Sequence, residues 1–190
     1  MILPWFRRNP QGRSIAALYG AIVAQARSVS FYADYGVPDT VEGRFDLLVL
    51  HLVLLLHRLS HCSGTARELG QELGQELGQG VFDAFCADLD ANLREMGTGD
   101  LAVPKKMVAF AEAFYGRQAA YIAALESLDP RAFEKALARN IFAPGNDAGA
   151  AALAAYGRVV LSRLDALDDD ALMQGMVGFP SPEAFVHARA

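Results

Sequence analysis

The sequence predicts an all-α protein, a single globular helical domain of about six to eight helices. Three observations predict it. Alanine and leucine dominate while β-branched residues are few, which favours helix over strand. Apolar residues recur at spacings of three and four, and no stretch alternates as a half-buried strand does. The hydrophobic fraction of 53% excludes a disordered chain. At 190 residues the chain can bury roughly 70% of the surface its unfolded form exposes, enough for a core.

The elements follow in order. Asn9-Pro10 reads as a cap with proline at the first helical position. Ile15, Leu18, Tyr19, Ile22, Val23 and Ala26 then form one stripe of a helix ending near Arg27. "SFYADYG" is a short helical turn stopping at Gly36. In "VPDTVEGRF", Pro38 keeps its predecessor out of the helix, and Asp39 with Glu42 resembles a capping box. A core helix is expected over Val41 to Leu59, the most buried of the chain. Its run "LLVLHLVLLL" is ten residues, against about 20 for a membrane span.

"ELGQELGQELGQ", Glu68 to Gln79, is three identical tetrads. Within a helix the interior glycines cost about 3 kcal/mol relative to alanine. The expected reading is a duplication tolerated in a connection, and the alternative is a close helix contact along Gly70, Gly74 and Gly78. From Val81 a helix carries Phe82, Phe85, Cys86, Leu89, Leu93 and Met96 inward, with Asp90 and Arg94 paired outside. Gly97 is its C-cap and "GTGDLAV" a connection. The next helix, from about Pro104 to Ser127, turns Met107, Phe110, Phe114, Tyr121, Ile122 and Leu125 inward. Asp129-Pro130 caps another, reaching about Asn140, and an alanine-rich helix covers Ala148 to Leu167. Ser181-Pro182 opens a short last helix; residues 1–10 and 179–190 are expected at the periphery.

Composition also excludes functions. A net charge of −5 argues against DNA or bulk nucleic-acid binding. Two cysteines, Cys62 and Cys86, make no disulfide framework and suit a reducing, cytoplasmic setting. The N-terminus lacks the charged-then-apolar order of a signal peptide. "GTGDLAVPKKM" is no phosphate loop, because a helix precedes it, Pro104 intervenes and no hydroxyl follows the lysines. His57 and His61 share a helix face, yet no fourth ligand stands at zinc spacing, so no metal and no cofactor are expected. No serine sits in a nucleophile elbow, so no catalytic residue is assigned. Charge is uneven: Arg7, Arg8, Arg13 and Arg27 lie in an acid-free N-terminus. They read as solvated faces, or as a basic edge for anionic lipid or ribosomal RNA with Trp5 and Phe6 dipping into an interface.

Three ordered blocks carry a resemblance: "FYADYGVPDTVEGRFDLLVLH", "VFDAFCADLDANLREMGTGDLAVPKKM" and "AFYGRQAAY". Together they resemble the ubiquinol–cytochrome c chaperone family, over about Tyr19 to Asn140. The resemblance implies a non-enzymatic helical chaperone that assembles the cytochrome bc1 complex. It implies binding to newly made cytochrome b near the ribosomal exit tunnel, at the inner membrane, beside a small helical partner. On that reading the expected protein-binding residues are Arg94, Glu95, Asp100, Lys105 and Lys106 at the corner, with Asp39 and Arg44 of the first block. Asp39 also reads as a cap, and Leu101 and Val103 as the corner's apolar part. Two rival classes are a helical enzyme with a pocket near His51 or His57, and a membrane-surface scaffold using the basic N-terminus.

Overall fold

A computed structural model describes residues 10–62, 67–142, 144 and 146–186. Among them it is all-helical: α1 (Pro10–Ala26), α2 (Val29–Ala33), α3 (Val41–Leu59), α4 (Arg67–Glu95), α5 (Val103–Leu125), α6 (Ala132–Ile141), α7 (Asp147–Asp165), α8 (Asp169–Met173) and α9 (Glu183–Val186). Six are long and α2, α8 and α9 are short, so the expected number holds for the long helices and the extra ones are single turns. The described residues group into two compact units, each discontinuous in sequence.

Of the described residues, the first unit takes 10–20, 59–62, 67–116 and 168–177. Its main difference from expectation is α4. The tetrads are no connection; they form the first half of a 29-residue helix. Gly74 shows why glycine is tolerated there. A Cβ on it would lie 2.4 Å from the Leu59 carbonyl oxygen and 3.0 Å from Cys62 Cβ, so the backbone there leaves no room for a side chain. Leu77 is 1% exposed while Leu73 is 42% exposed, so successive tetrads place their leucines differently. A Cβ on Gly80 would likewise stand 2.3 Å from Ile15 Cδ1. Further along, Phe82, Phe85 and Phe114 form an aromatic cluster, with the Phe82 and Phe114 centroids 4.8 Å apart. The Tyr19 hydroxyl donates to Asp88 at 2.8 Å. The unpredicted α8 ends at Gly175, whose φ of +80° and closeness to Ser14 Cα both require glycine.

Of the described residues, the second unit takes 21–58, 117–142, 144, 146–167 and 178–186. Its centre is α3, with the predicted bounds. Leu47, Val49, Leu50, Leu52, Val53, Leu54 and Leu55 have no exposed surface. A helix apolar all round has to be enclosed, and each such side chain stabilises by roughly 1.5–3 kcal/mol. The N-terminus of α3 differs in detail from the predicted box. Thr40 Oγ1 accepts from the Gly43 amide at 3.1 Å, while Asp39 turns away to Arg44. Thr40 is the better cap here because Asp39 has a cation within reach.

The same unit buries two polar groups of opposite character. His51, wholly buried, donates from Nδ1 to the Leu47 carbonyl at 2.7 Å, since a carbonyl can only accept. Its Nε2 then accepts from the Tyr156 hydroxyl at 2.8 Å, and that hydroxyl accepts from Gln25 at 2.9 Å. Asp46 pairs with Arg117 at 2.7 Å, and the guanidinium lies 5.6 Å over the Phe45 ring. Nearby, the Tyr121 hydroxyl is buried with no hydrogen-bond partner among the described residues.

Residues 179–186 depart from the peripheral position expected of 179–190. The Phe179 ring packs edge-on to His51 with centroids 5.3 Å apart. The Pro180 carbonyl accepts from Gln25 at 2.9 Å and the Pro182 carbonyl from Tyr35 at 2.6 Å. Phe185 meets Tyr156 with centroids 5.7 Å apart. The Pro182 carbonyl also accepts from the Phe185 amide at 3.1 Å as α9 begins, so buried Tyr35 and half-buried Gln25 tie this segment down through backbone carbonyls. The Asn9 cap, the Trp5 and Phe6 edge, Arg7 and Arg8 lie outside the described residues.

Candidate interaction surface

The predicted corner is built by the way α4 ends. Gly97 takes φ +79°, which glycine adopts without strain. The Thr98 amide then reaches the Leu93 carbonyl at 3.0 Å and the Gly97 amide the Arg94 carbonyl at 2.9 Å. These two bonds are the Schellman closure of a helix, so the sequence expectation at Gly97 is met. The chain turns again at Gly99, whose carbonyl accepts from Ala102 at 2.8 Å as α5 begins.

This geometry sorts the predicted residues. Arg94 lies between two acids, bonding Asp90 one turn back at 2.7 Å and Asp100 across the turn. Both carboxylates hold its guanidinium charged, chiefly through the hydrogen bond it donates to Asp90. Lys106 donates to Thr98 at 3.1 Å. Glu95 and Lys105 are exposed and make no ion pair among the described residues. Asp39 and Arg44 belong to the second unit and bond each other at 2.7 Å. That bond keeps the exposed Asp39 carboxyl below its ordinary range. The Asp39 cap role is thus replaced by an ion pair.

The apolar part of the corner also differs from expectation. Val103 is 1% exposed and belongs to the core, while Leu101 is 99% exposed. Three further exposed apolar side chains continue from it, Met96, Val108 and Tyr115. Sequence reading overlooked Val108 and Tyr115, although their seven-residue spacing from Leu101 was visible. Tyr115 borders the aromatic cluster, its ring 5.3 Å from Phe114 and 6.1 Å from Phe82.

The rival enzyme pocket does not form around His51. That imidazole is tied on both nitrogens and ringed by Phe31, Tyr156 and Phe179. Burial lowers its pKa to about 4, so it stays neutral and sealed from substrate. His57 is half-buried and His61 exposed. Among the described residues no three His, Cys, Asp or Glu side chains are placed to share a metal ion. A cleft of about 440 Å³ in the first unit is lined, among the described residues, by Gln11, Arg13, Ser14, Leu73, Leu77, Met173 and Gln174. No helix of the described residues is long and apolar enough to cross a membrane.

The chain belongs to the ubiquinol–cytochrome C chaperone family, whose sequence model matches residues 33–179. That match runs well past the expected end near Asn140. Within that added stretch α7 sets buried Leu153, Tyr156, Val160 and Leu164 among its alanines. The crystal structure of the Cbp3 homolog from Brucella abortus is similar at a TM-score of 0.77 and 37% identity, covering 96% of this chain and 98% of that one. No curated protein matches.

Proposed function

We propose that this chain is a non-enzymatic assembly chaperone of the cytochrome bc1 complex that holds newly made cytochrome b. The observation that carries this reading is family membership over residues 33–179, joined to likeness along nearly the full length of the Cbp3 homolog. The corner of Arg94, Glu95, Asp100, Lys105 and Lys106 is proposed as its contact surface, with Asp39 and Arg44 as a second patch. A chaperone for an apolar client needs accessible apolar surface rimmed by charge, which sets orientation and on-rate. Leu101 and Met96 beside Lys105 and Glu95 supply that mixture. Further proposed partners are the ribosome near its exit tunnel and a small helical protein, with the chain acting in the cytoplasm at the inner-membrane surface.

The test is capture of the tagged protein from membranes of its own cell, with bound proteins identified. Cytochrome b should be enriched with the parent chain. Lys105→Glu with Lys106→Glu should keep the helical circular dichroism and recover less cytochrome b, most clearly at low salt, where charge is least screened. Equal recovery with the double variant would remove the corner from the contact surface. Absence of cytochrome b from the parent's captured proteins would remove the client assignment itself.

A further inference from the structure

The exposed face of α5 and the turn before it carries a pattern that the corner does not use up. Leu101, Lys105, Val108, Glu112 and Tyr115 follow one another at spacings of four and three, and all five are exposed. Leu101, Val108 and Tyr115 are 99%, 58% and 57% exposed, large values for apolar side chains of this size. Between them stand Lys105 and Glu112, seven residues apart, which makes about 10 Å along a helix and puts them beyond each other's reach. Neither makes an ion pair among the described residues. The face is also edged by small exposed residues, Ala102, Ala109 and Gly116. Space is open at Gly116, where an added Cβ would meet nothing within 4 Å.

We infer that this face pairs with the same face of a second copy of the chain, the two α5 helices running antiparallel about a two-fold axis between Val108 and Ala109. The sequence order supplies the complementarity. An axis at that point sets Lys105 of each copy against Glu112 of the other, so both unpaired charges are matched twice. It sets Val108 against Ala109, Leu101 against Gly116 and Tyr115 against Ala102. Each large apolar side chain thus meets a small one, and no like charges oppose. A two-fold contact requires this kind of self-complementarity, and a stripe with two equal charges or three facing large residues would lack it. The helical part of this face, residues 103–116, is about 21 Å long, which suits a weak and concentration-dependent dimer. The face shares Leu101 and Lys105 with the proposed client contact, and self-association is read separately, by mass alone.

The experiment is sedimentation velocity of the full chain at low salt, from roughly 1 µM to a few hundred µM, the range such small interfaces call for. The parent should move from monomer to dimer across that range, and added salt should shift it back. Lys105→Glu alone and Glu112→Lys alone each put like charges opposite at two places. Each should raise the dimer dissociation constant on the order of tenfold while circular dichroism stays helical. Lys105→Glu combined with Glu112→Lys should restore dimerisation, because the pairs re-form with signs exchanged. A parent that stays monomeric throughout overturns the inference. So does a dimer indifferent to both single reversals, or one that the combined variant fails to restore. Reversals that leave mass unchanged and lower only cytochrome b recovery would make the stripe a client face, and would also overturn it.

Discussion

His51 Nε2 lies 2.8 Å from the Tyr156 hydroxyl, joining α3 to α7 across 105 residues of sequence. The two rings and Gln25 form a chain of donors that ends on backbone carbonyls, so the imidazole is satisfied only when neutral. Protonation would place a second N–H against a hydroxyl already receiving one, inside a fully buried site.

Stability should therefore depend on pH, with two terms of opposite sign. The folded His51 pKa is about 4 against an ordinary 6.5. Between those values the unfolded chain binds the extra proton, so this term is fully present above about pH 6.5 and is lost as pH falls towards 4. Its ceiling is about 3 kcal/mol. Asp46 runs the other way, because burial pushes its carboxyl up to about 6 against the Arg117 attraction. There the folded chain binds the extra proton between 3.8 and 6, so acid relieves a penalty that is full above pH 6. The parent should lose little stability from about pH 6 to 4.5, and Asp46→Asn should lose about 1–3 kcal/mol more over the same window. Denaturant melts of both proteins at several pH values decide it. Parallel pH profiles would mean the two terms do not offset.

The buried tyrosines should respond differently to loss of the hydroxyl. Tyr121 has no hydrogen-bond partner among the described residues, so Tyr121→Phe should change stability by less than about 0.5 kcal/mol, or raise it. Tyr156→Phe removes the donor to His51 Nε2 and should cost about 1–3 kcal/mol. Urea midpoints at neutral pH compare them directly. A loss above about 1 kcal/mol for Tyr121→Phe would show that its hydroxyl is bonded after all.

Glycines in two helices offer the cleanest contrast. Gly20 in α1 has open space around it, so Gly20→Ala should stabilise by about 0.5–1 kcal/mol through helix propensity. Gly74 in α4 faces the Leu59 carbonyl oxygen at 2.4 Å from any added Cβ. Backbone must move to admit the methyl, so Gly74→Ala should cost about 1–3 kcal/mol despite the same propensity gain. Thermal melts should fall for Gly74→Ala and rise for Gly20→Ala. Equal rises would return the tetrads to the role of a tolerated insertion.

That contrast also marks what could be read in advance. The bounds of α3 were legible because its apolar run begins after a proline corner and ends at histidine, arginine and serine. Gly97 was legible because a left-handed residue after a helix is a local requirement. The tetrads were not, because interior glycine argues against helix unless one knows that the Leu59 backbone passes close by, which is a tertiary fact. At the corner, charge and turn residues placed Arg94, Asp100 and Lys106 together. The burial of Val103 and the exposure of Val108 depend on which face of α5 the core selects, and spacing alone allowed either.

The last prediction concerns the chain end, which local pattern placed at the periphery. Residues 179–186 bring no long helix and two prolines, so little in their sequence suggests a structural role. Yet they accept hydrogen bonds from Gln25 and Tyr35 and set two rings against His51 and Tyr156. Truncation after Gly178 would leave the buried Tyr35 hydroxyl without its carbonyl and uncover one side of the His51 network. Two lost bonds of about 1 kcal/mol each, one of them leaving a buried donor, add to the apolar area of two phenylalanines. The loss should reach about 4–6 kcal/mol, or a fall in melting temperature of at least about 8 °C for a chain of this size. The full set of long helices should still appear by circular dichroism at low temperature, since the truncated segment contributes only α9. A truncated protein that melts within about 2 °C of the parent would show that these contacts contribute no net stability.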